Sequence, residues 1–415
     1  MVPTPPGRRD VRLLFTTRLV RLFAYGFLSV DLVFYLVWAG LSTYQVGLLL
    51  SLTLVGDTLI SLFITTRADR AGRKRMLLAG AALMVLAGVL FALTRDFYLL
   101  LAAATIGVVS PSGNEVGPFL ALEQASLSQL VPDARRTAVF SWYNLVGSFA
   151  TALGALSAGG LAQALERAGV SEGDTYRLTI AGYAFLGVAL AALFTQLGRE
   201  IEARPAAAAP VAPETAAPVR TSRFGLGRSR GVVMKLSAMF SLDAFAGGFV
   251  VQSVVAWWFH ARYGVQPAVL GAIFFGANIL AGLSALSASR LAARFGLIRT
   301  MVFTHIPSNV LLIAVPLMPN LPLAIAVLLI RFSISQMDVP TRQSYTMAVV
   351  SPEERSAAAG VTGIARTTGA SLSPVFLGPM LASASLLSLP FFLAGGLKIV
   401  YDLLLYASFK SQDRK

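Results

Sequence analysis

Thirteen ionisable side chains interrupt stretches that are otherwise continuously apolar. The acids are Asp31, Asp57, Glu115, Glu123, Asp243, Asp338 and Asp402, and the bases are Arg18, Arg21, Arg331, Arg342, Arg366 and Lys398. Charge in such surroundings is expensive and is kept for a task or for a partner. A carboxylate in low dielectric can exchange a proton at working pH, and Asp31 and Asp338 are the best candidates for that, with Glu115 beside them. An arginine keeps its proton, so Arg331 and Arg342 would instead sense a carboxylate or bind an anion. Spacing sharpens the picture. Arg331, Ser335, Asp338 and Arg342 follow one another at 4, 3 and 4 residues and share one helical face, as do Glu115 and Glu123 at a spacing of eight. Helix breakers flank both groups: Pro111, Gly113, Gly117 and Pro118 around Glu115, and Pro340 beside Asp338. A broken helix bares backbone polar groups that a ligand can use.

The elements that must carry these charges follow from composition. The 415 residues are 56% hydrophobic and only 13% charged, with a mean hydropathy of +0.70. That leaves too little polar surface for a soluble globule. Apolar runs long enough to cross a ~30 Å hydrocarbon core lie near 12–39, 44–66, 76–94, 97–130, 136–163 and 177–198, then 232–261, 267–289, 298–318, 321–349, 356–382 and 386–409. These twelve predict an all-α membrane protein. Alternating β-barrel strands are not seen. The ten polar residues before the first run, which itself contains Arg18 and Arg21, do not read as a removable signal peptide.

The formal charge is +14, from 34 Lys and Arg against 20 Asp and Glu. No basic, aromatic-interleaved domain is present to bind nucleic acid. The basic residues set topology instead: 24 fall in the termini, the even-numbered loops and the 199–231 stretch, and four in the odd-numbered loops. This places both termini in the cytoplasm. With no cysteine, disulfides, thiolate metal sites and cysteine nucleophiles are excluded; with only His260 and His305, far apart in sequence, neither a zinc nor a haem centre is expected, and no cofactor is expected.

The chain divides into two halves, 1–198 and 232–415, joined by a Pro/Ala-rich stretch at 199–231 that reads as a cytoplasmic linker. The halves repeat each other at a nearly constant shift. Phe-Ala-Tyr-Gly-Phe at 23–27 returns as Phe-Ala-Gly-Gly-Phe at 245–249, and Arg-Ala-Gly-Arg-Lys-Arg at 70–75 as Arg-Phe-Gly-Leu-Ile-Arg at 294–299. Val-Pro-Asp-Ala-Arg-Arg-Thr-Ala at 131–138 returns as Val-Ser-Pro-Glu-Glu-Arg-Ser-Ala at 350–357. Three matches in order argue for an internal duplication.

The loop after the second run, Arg67-Ala-Asp69-Arg70-Ala-Gly72-Arg73-Lys74-Arg75, resembles the signature loop of the major facilitator superfamily, G-x-L-A-D-R-x-G-R-K, with Thr65 in place of its first glycine. The resemblance spans the whole chain. It implies twelve transmembrane helices in two pseudo-symmetric six-helix bundles, transport rather than enzymatic activity, and a central cavity lined by spans one, four, seven and ten. Glycines 147, 154, 159 and 160 partly resemble a glycine-rich antiporter motif without its proline, and the outer half of span four lacks the arginine usual in drug/proton antiporters. Asp69, at a helix end, can meet the N-terminal dipole of span eleven. Arg70 and Arg73 can hold it, so that the contact forms in one conformation only.

Depth along each helix, at roughly 1.5 Å per residue, matches Asp31 with Arg331, Asp243 with Asp338, Glu123 with Arg342 as a gate, and Asp57 with Arg366 as a latch between halves. Lys398 and Asp402, four apart, are expected to satisfy each other. Trp257, Trp258 and His260 read as an interfacial belt, His305 as a buried polar residue, and Tyr25, Tyr35 and Trp142 as packing or cavity-lining aromatics. No phosphate-cradling loop suggests ATP drive. The leading expectation is a proton-coupled exporter of a small amphipathic organic compound, with Asp31, Glu115, Asp243, Arg331 and Asp338 at the proton and substrate site. The competing one is a proton symporter or facilitator for a small organic anion; a non-transporting receptor or scaffold is a distant third. The partners expected are a small-molecule substrate, protons and the lipid bilayer, with the chain working as a monomer in a plasma (inner) membrane. The abundance of Ala, Gly and Arg suggests a bacterial source.

Overall fold

Apolar runs of this length become helices because a hydrocarbon environment offers backbone N–H and C=O groups no other partner. The computed structural model describes residues 6–115, 117–202, 227–350 and 354–409. Its first half contains α1 (Pro6–Trp38), α2 (Thr43–Ala71), α3 (Arg73–Leu93), α4 (Phe97–Ile106), α5 (Phe119–Leu130), α6 (Asp133–Arg167) and α7 (Glu172–Thr195). The second contains α8 (Arg230–Gly248), α9 (Gln252–Tyr263), α10 (Pro267–Phe295), α11 (Leu297–Ala314), α12 (Leu321–Ser335), α13 (Asp338–Ala348), α14 (Arg355–Leu372), α15 (Leu377–Ala382) and α16 (Leu389–Phe409).

Taken in pairs where a span is broken, these sixteen helices make twelve spans, six in each half. Among the described residues, ten stretches are long and apolar enough to cross a membrane. The other two are span four, cut between α4 and α5, and span eleven, cut between α14 and α15 by a short 3-10 turn at Ser373–Phe376. The breaks at Gly107–Pro118 and at Gln336–Met337 lie where the sequence put its breakers. Those between α8 and α9 and at Ser373–Phe376 were not anticipated.

Two ends can be distinguished: a near end, where α1 begins and α16 finishes, and a far end, where α1 turns into α2. At the far end, side chains cap the helix starts. Ser42 forms a capping box with Gln45, and Asp96, Ser171 and Asn320 each accept an amide of the helix they begin. At the near end, glycines make the corresponding turns. Gly72 (φ 101°) and Gly296 (φ 89°) both close one helix and open the next, in a conformation that a Cβ disfavours.

The duplication seen in sequence is therefore a duplication of geometry. It extends to close packing: a Cβ on Gly26 would lie 2.1 Å from the Thr151 carbonyl oxygen, and one on Gly248 would lie 2.0 Å from Ser373 Oγ. In each half the glycine of the repeated Phe-Ala-x-Gly-Phe motif lets the first helix approach its neighbour at backbone distance.

The halves meet at the far end and at mid-height. Phe34 of α1 packs edge-on against Trp257 (5.4 Å) and His260 (5.0 Å) of α9. Gly47 seats against the Pro374 carbonyl, Gly378 against the backbone of Tyr44, and Gly159 against Pro267 and Ala268. Trp258, expected in an interfacial belt, is instead buried; its indole N–H donates to Ser388 Oγ at 3.2 Å and its ring packs on Phe391. Tyr25 and Tyr35 are buried within the first bundle and Trp142 is 63% exposed on the outside, so none of the three lines the space between the halves.

The candidate substrate cavity

Between the two halves lies a cavity of about 610 Å³, a volume suited to a small organic molecule. Its first-half wall carries Arg18, Asp57 and Glu115. Its second-half wall carries Asp243, His305, Arg331, Asp338, Arg342, Arg366 and Lys398. Four of the five residues expected at the proton and substrate site therefore face one space.

The fifth, Asp31, does not. It is 2% exposed inside the first bundle, where one carboxylate oxygen accepts from Thr179 Oγ1 of α7 at 3.2 Å and the other has no partner among the described residues. The inferred match with Arg331 fails because equal depth fixes height and says nothing about which way a side chain faces around its helix.

The first-half cluster is closed. Arg21 of α1, fully buried, reaches Glu123 of α5 with two hydrogen bonds of 2.7 and 2.8 Å and Glu115 with a third of 2.8 Å. Arg18 reaches Glu115 at 2.7 Å and lies over the ring of Tyr143. Thr17 Oγ1 (2.7 Å) and the Tyr143 hydroxyl also donate to Glu123. Two bases thus meet two acids, with Arg18 Nε the one donor of the four side chains left buried without a partner among the described residues. Glu123 is spent here and does not meet Arg342, because the two lie in different bundles.

The second-half cluster is larger and open. Asp243 of α8 accepts from Lys398 Nζ of α16 at 2.6 Å and from Arg342 Nη1 of α13 at 3.1 Å, and Arg342 also reaches Asp338 at 3.0 Å. Depth correctly put Asp243 and Asp338 at one level; they share one arginine. Lys398 does not satisfy Asp402 as expected. Asp402 instead faces His305 Nδ1 of α11 at 2.9 Å and accepts from Asn309 Nδ2 at 3.2 Å. At a spacing of four, Lys398 is aimed into the cavity and Asp402 back toward α11.

Arg331 and Arg366 both line the cavity, yet neither makes an ion pair or hydrogen bond among the described residues. Asp57 accepts the amide of Gly117 and faces Ser61 Oγ at 3.5 Å. It and Arg366 share the cavity wall without an ion pair between them, so the expected pairing is not formed.

The two clusters are related. The shift that carries Phe23 onto Phe245 carries Arg21 onto Asp243, and the shift that carries Val131 onto Val350 carries Glu123 onto Arg342. One buried ion pair between the first and fourth spans therefore occupies matching positions in the two halves, with the charges exchanged. The repeat shift applied to charged positions alone identifies this pair in the sequence, whereas depth carries no information on the repeat.

Above the cavity the broken spans touch. The amide of Ser253, freed at the start of α9, donates to the Pro111 carbonyl in the break of span four at 3.2 Å. Gln252 Nε2 donates to Ser29 Oγ of α1 at 2.8 Å, and Asn278 Nδ2 of α10 to Gln252 Oε1 at 3.2 Å.

Of the expected gate loop, the side chains of Asp69 and Arg70 lie outside the described residues. Arg73 and Lys74 tie the loop to the segment after α7. Their backbone amides donate to Glu202 at 2.6 and 3.3 Å, Arg73 Nη1 reaches Gln129 and the Ile201 carbonyl, and Lys74 Nζ the Thr195 and Leu197 carbonyls. In the other half Glu354, at the start of α14, accepts the amides of Gly227, Arg228 and Ser229 at 2.8–3.0 Å. Burial pushes the Glu354 carboxyl up, but these amides outweigh it and hold the group below its ordinary value.

Residues 14–374 match the family model of the Major Facilitator Superfamily. A membrane protein of Saccharomyces cerevisiae described as uncharacterized is 32% identical over 428 residues, covering 98% of this chain and 95% of its own length. Among solved structures, a bacterial homologue of the human lysosomal transporter Spinster in an inward-facing, unoccupied conformation aligns with a TM-score of 0.71 at 17% identity, over 98% of this chain and 96% of that one. The nucleoside transporter NupG aligns with a TM-score of 0.74 at 14% identity, over 96% and 99%. With its twelve-span fold, its duplicated halves and its central cavity, the chain belongs to the major facilitator superfamily and is a multi-pass membrane transporter rather than an enzyme.

Proposed function

We propose that the protein carries a small organic anion through the central cavity together with a proton, the halves rocking about the site by alternating access. The observation that carries this reading is the pair Arg331 and Arg366: two guanidinium groups in the cavity wall without a counter-ion among the described residues. Both are half-buried and their guanidinium groups carry donors with no acceptor in the wall among the described residues, and an anionic ligand would supply what both lack. Moving that anion alone against a negative interior costs about 2.3 kcal/mol per charge per 100 mV, and a proton travelling with it removes the cost.

The proposed setting is a plasma membrane, with a single chain as the working unit, both termini in the cytoplasm and the bundles joined there through the stretch expected at 199–231, at whose ends Arg199–Ile201 form a 3-10 turn and α8 already begins at Arg230. The far end, where the halves touch, then faces outward.

A second reading, export of a neutral or cationic amphipathic compound, is favoured by Asp57, a cavity carboxylate that no cation pairs among the described residues. The sign of the substrate's charge separates the two. Purified protein in proteoliposomes holding an internal pH dye, offered benzoate, lactate, succinate and glucuronate beside cationic and neutral amphiphiles, should show anion entry with acidification inside. In Arg331→Ala the same entry should need at least tenfold more anion. Movement of cations alone would overturn the anion reading.

A further inference from the structure

The carboxylates expected to carry a proton are poorly placed for it. Glu115 and Asp338 are each held by arginine, and Asp31 lies off the cavity. A different group has the right surroundings. We infer that His305 carries the coupling proton, on Nε2, and that Asp402 and Asn309 are its positioning residues; this rests on the anion-transport reading above.

The imidazole stands between two carboxylates. Asp402 lies behind it, with both oxygens 2.9–3.0 Å from Nδ1, and Asp243 lies on the cavity side, with Oδ1 3.9 Å from Nε2. A carboxylate that close fixes the proton of Nδ1 in place, so only Nε2 is free to gain or lose one. Asn309 Nδ2 donates to the same Asp402 at 3.2 Å and holds it in register.

The charged groups around the ring are Lys398 and Asp402 from α16, Asp338 and Arg342 from α13, Arg331 from α12 and Asp243 from α8; α10 adds only Arg290 and Arg294, both exposed. Tyr401 packs edge-on against the ring at 6.0 Å.

The coupling follows from competition for Asp243. In the empty cavity, Lys398 and Arg342 both neutralise it. An anionic ligand reaching toward Arg331 and Arg366 also draws on Lys398 and Arg342, which line the same wall. Asp243 is then short of positive charge, and a proton taken up on Nε2, 3.9 Å from it, restores the balance. Loss of the ligand returns Lys398 to Asp243 and releases the proton. The predicted stoichiometry is about one proton per anion.

The test compares proton and anion movement in the same pyranine-loaded proteoliposomes with the four anions named above. His305→Gln should move the anion down its gradient with no pyranine signal, and Asp402→Asn should reduce the proton-to-anion ratio while sparing anion exchange more than His305→Gln does. Proton movement at the wild-type ratio in His305→Gln would overturn the inference and leave the anion reading standing. Absence of anion movement in the wild type would sink the anion reading itself.

Should the variants fail to fold, imidazole nitrogen-15 spectra of His260→Gln, in which His305 is the sole histidine, give an independent answer. Nε2 should change protonation when a transported anion is added at constant pH. A resonance unmoved by anion or by pH between about 5 and 9 would overturn the inference.

Discussion

The two halves share an ancestor in sequence, a glycine turn, a helix-packing glycine and a buried ion pair between matching helices, yet they treat charge in opposite ways. The first half closes its network: Arg18, Arg21, Glu115 and Glu123 balance, and Tyr143 and Thr17 fill the remaining positions around Glu123. The second reverses the pair and then adds to it, with Lys398, Arg331 and Arg366 as extra bases and Asp338 and Asp402 as extra acids. The lesson is that duplication fixes where a charge pair sits, while divergence decides whether that pair is scaffold or working surface.

The sharpest way to break the contrast is at its closed end. Arg21→Met leaves Glu123 buried with its main counter-ion gone and should lower stability by about 3–5 kcal/mol, read as a fall in thermal unfolding temperature in detergent. The double variant Arg21→Glu with Glu123→Arg, which gives the first half the polarity of the second, should recover most of that loss. No recovery would mean that Tyr143 and Thr17, and not the pair itself, set the polarity.

Arg331→Ala should do the reverse, lowering apparent anion affinity at least tenfold, or about 1.4 kcal/mol, with unfolding temperature unchanged or raised. A stability loss like that of Arg21→Met would show Arg331 to be structural. Smaller still is the contact between the halves: Ser29→Ala removes the one hydrogen bond from Gln252, worth about 1 kcal/mol, together with the hydroxyl's own bond to the Gly26 carbonyl within α1. Loss of the former should shift the open–closed equilibrium roughly fivefold. The absence of native cysteine makes this measurable by labelling a single cysteine placed at Phe34.

The finest test lies outside the membrane. Because the Glu354 carboxyl is held below its ordinary value near 4.5, it stabilises the start of α8 above that pH and loses this contribution as pH falls through its folded value. Wild type should therefore exceed Glu354→Gln in stability at neutral pH, and the difference should vanish in acid. A difference independent of pH would assign the effect to shape instead.

Much of this was legible in the sequence because the governing physics is one-dimensional. Span length, the bias of Arg and Lys between alternate loops and the breakers around Glu115 all depend on position along the chain, and the spans and the break in span four appear where they were expected. Partner choice depends on which way each side chain faces around its helix. The same depth argument that placed Asp243 beside Asp338 therefore sent Asp31 to Arg331, and spacing alone sent Lys398 to Asp402, both wrongly. His305 is the buried polar residue expected, but a lone histidine has no pattern from which its partners can be read. Its two acids come from α16 and α8, on either side of it and far off along the chain.

The contact from the Ser253 amide to the Pro111 carbonyl has an evolutionary consequence. It joins main chain to main chain, so no substitution at position 111 can remove its acceptor, and at position 253 only proline would remove its donor. Sequence drift can retune the cavity for a new solute while this contact stays intact, so descendants with little sequence in common can keep the same closure between the halves.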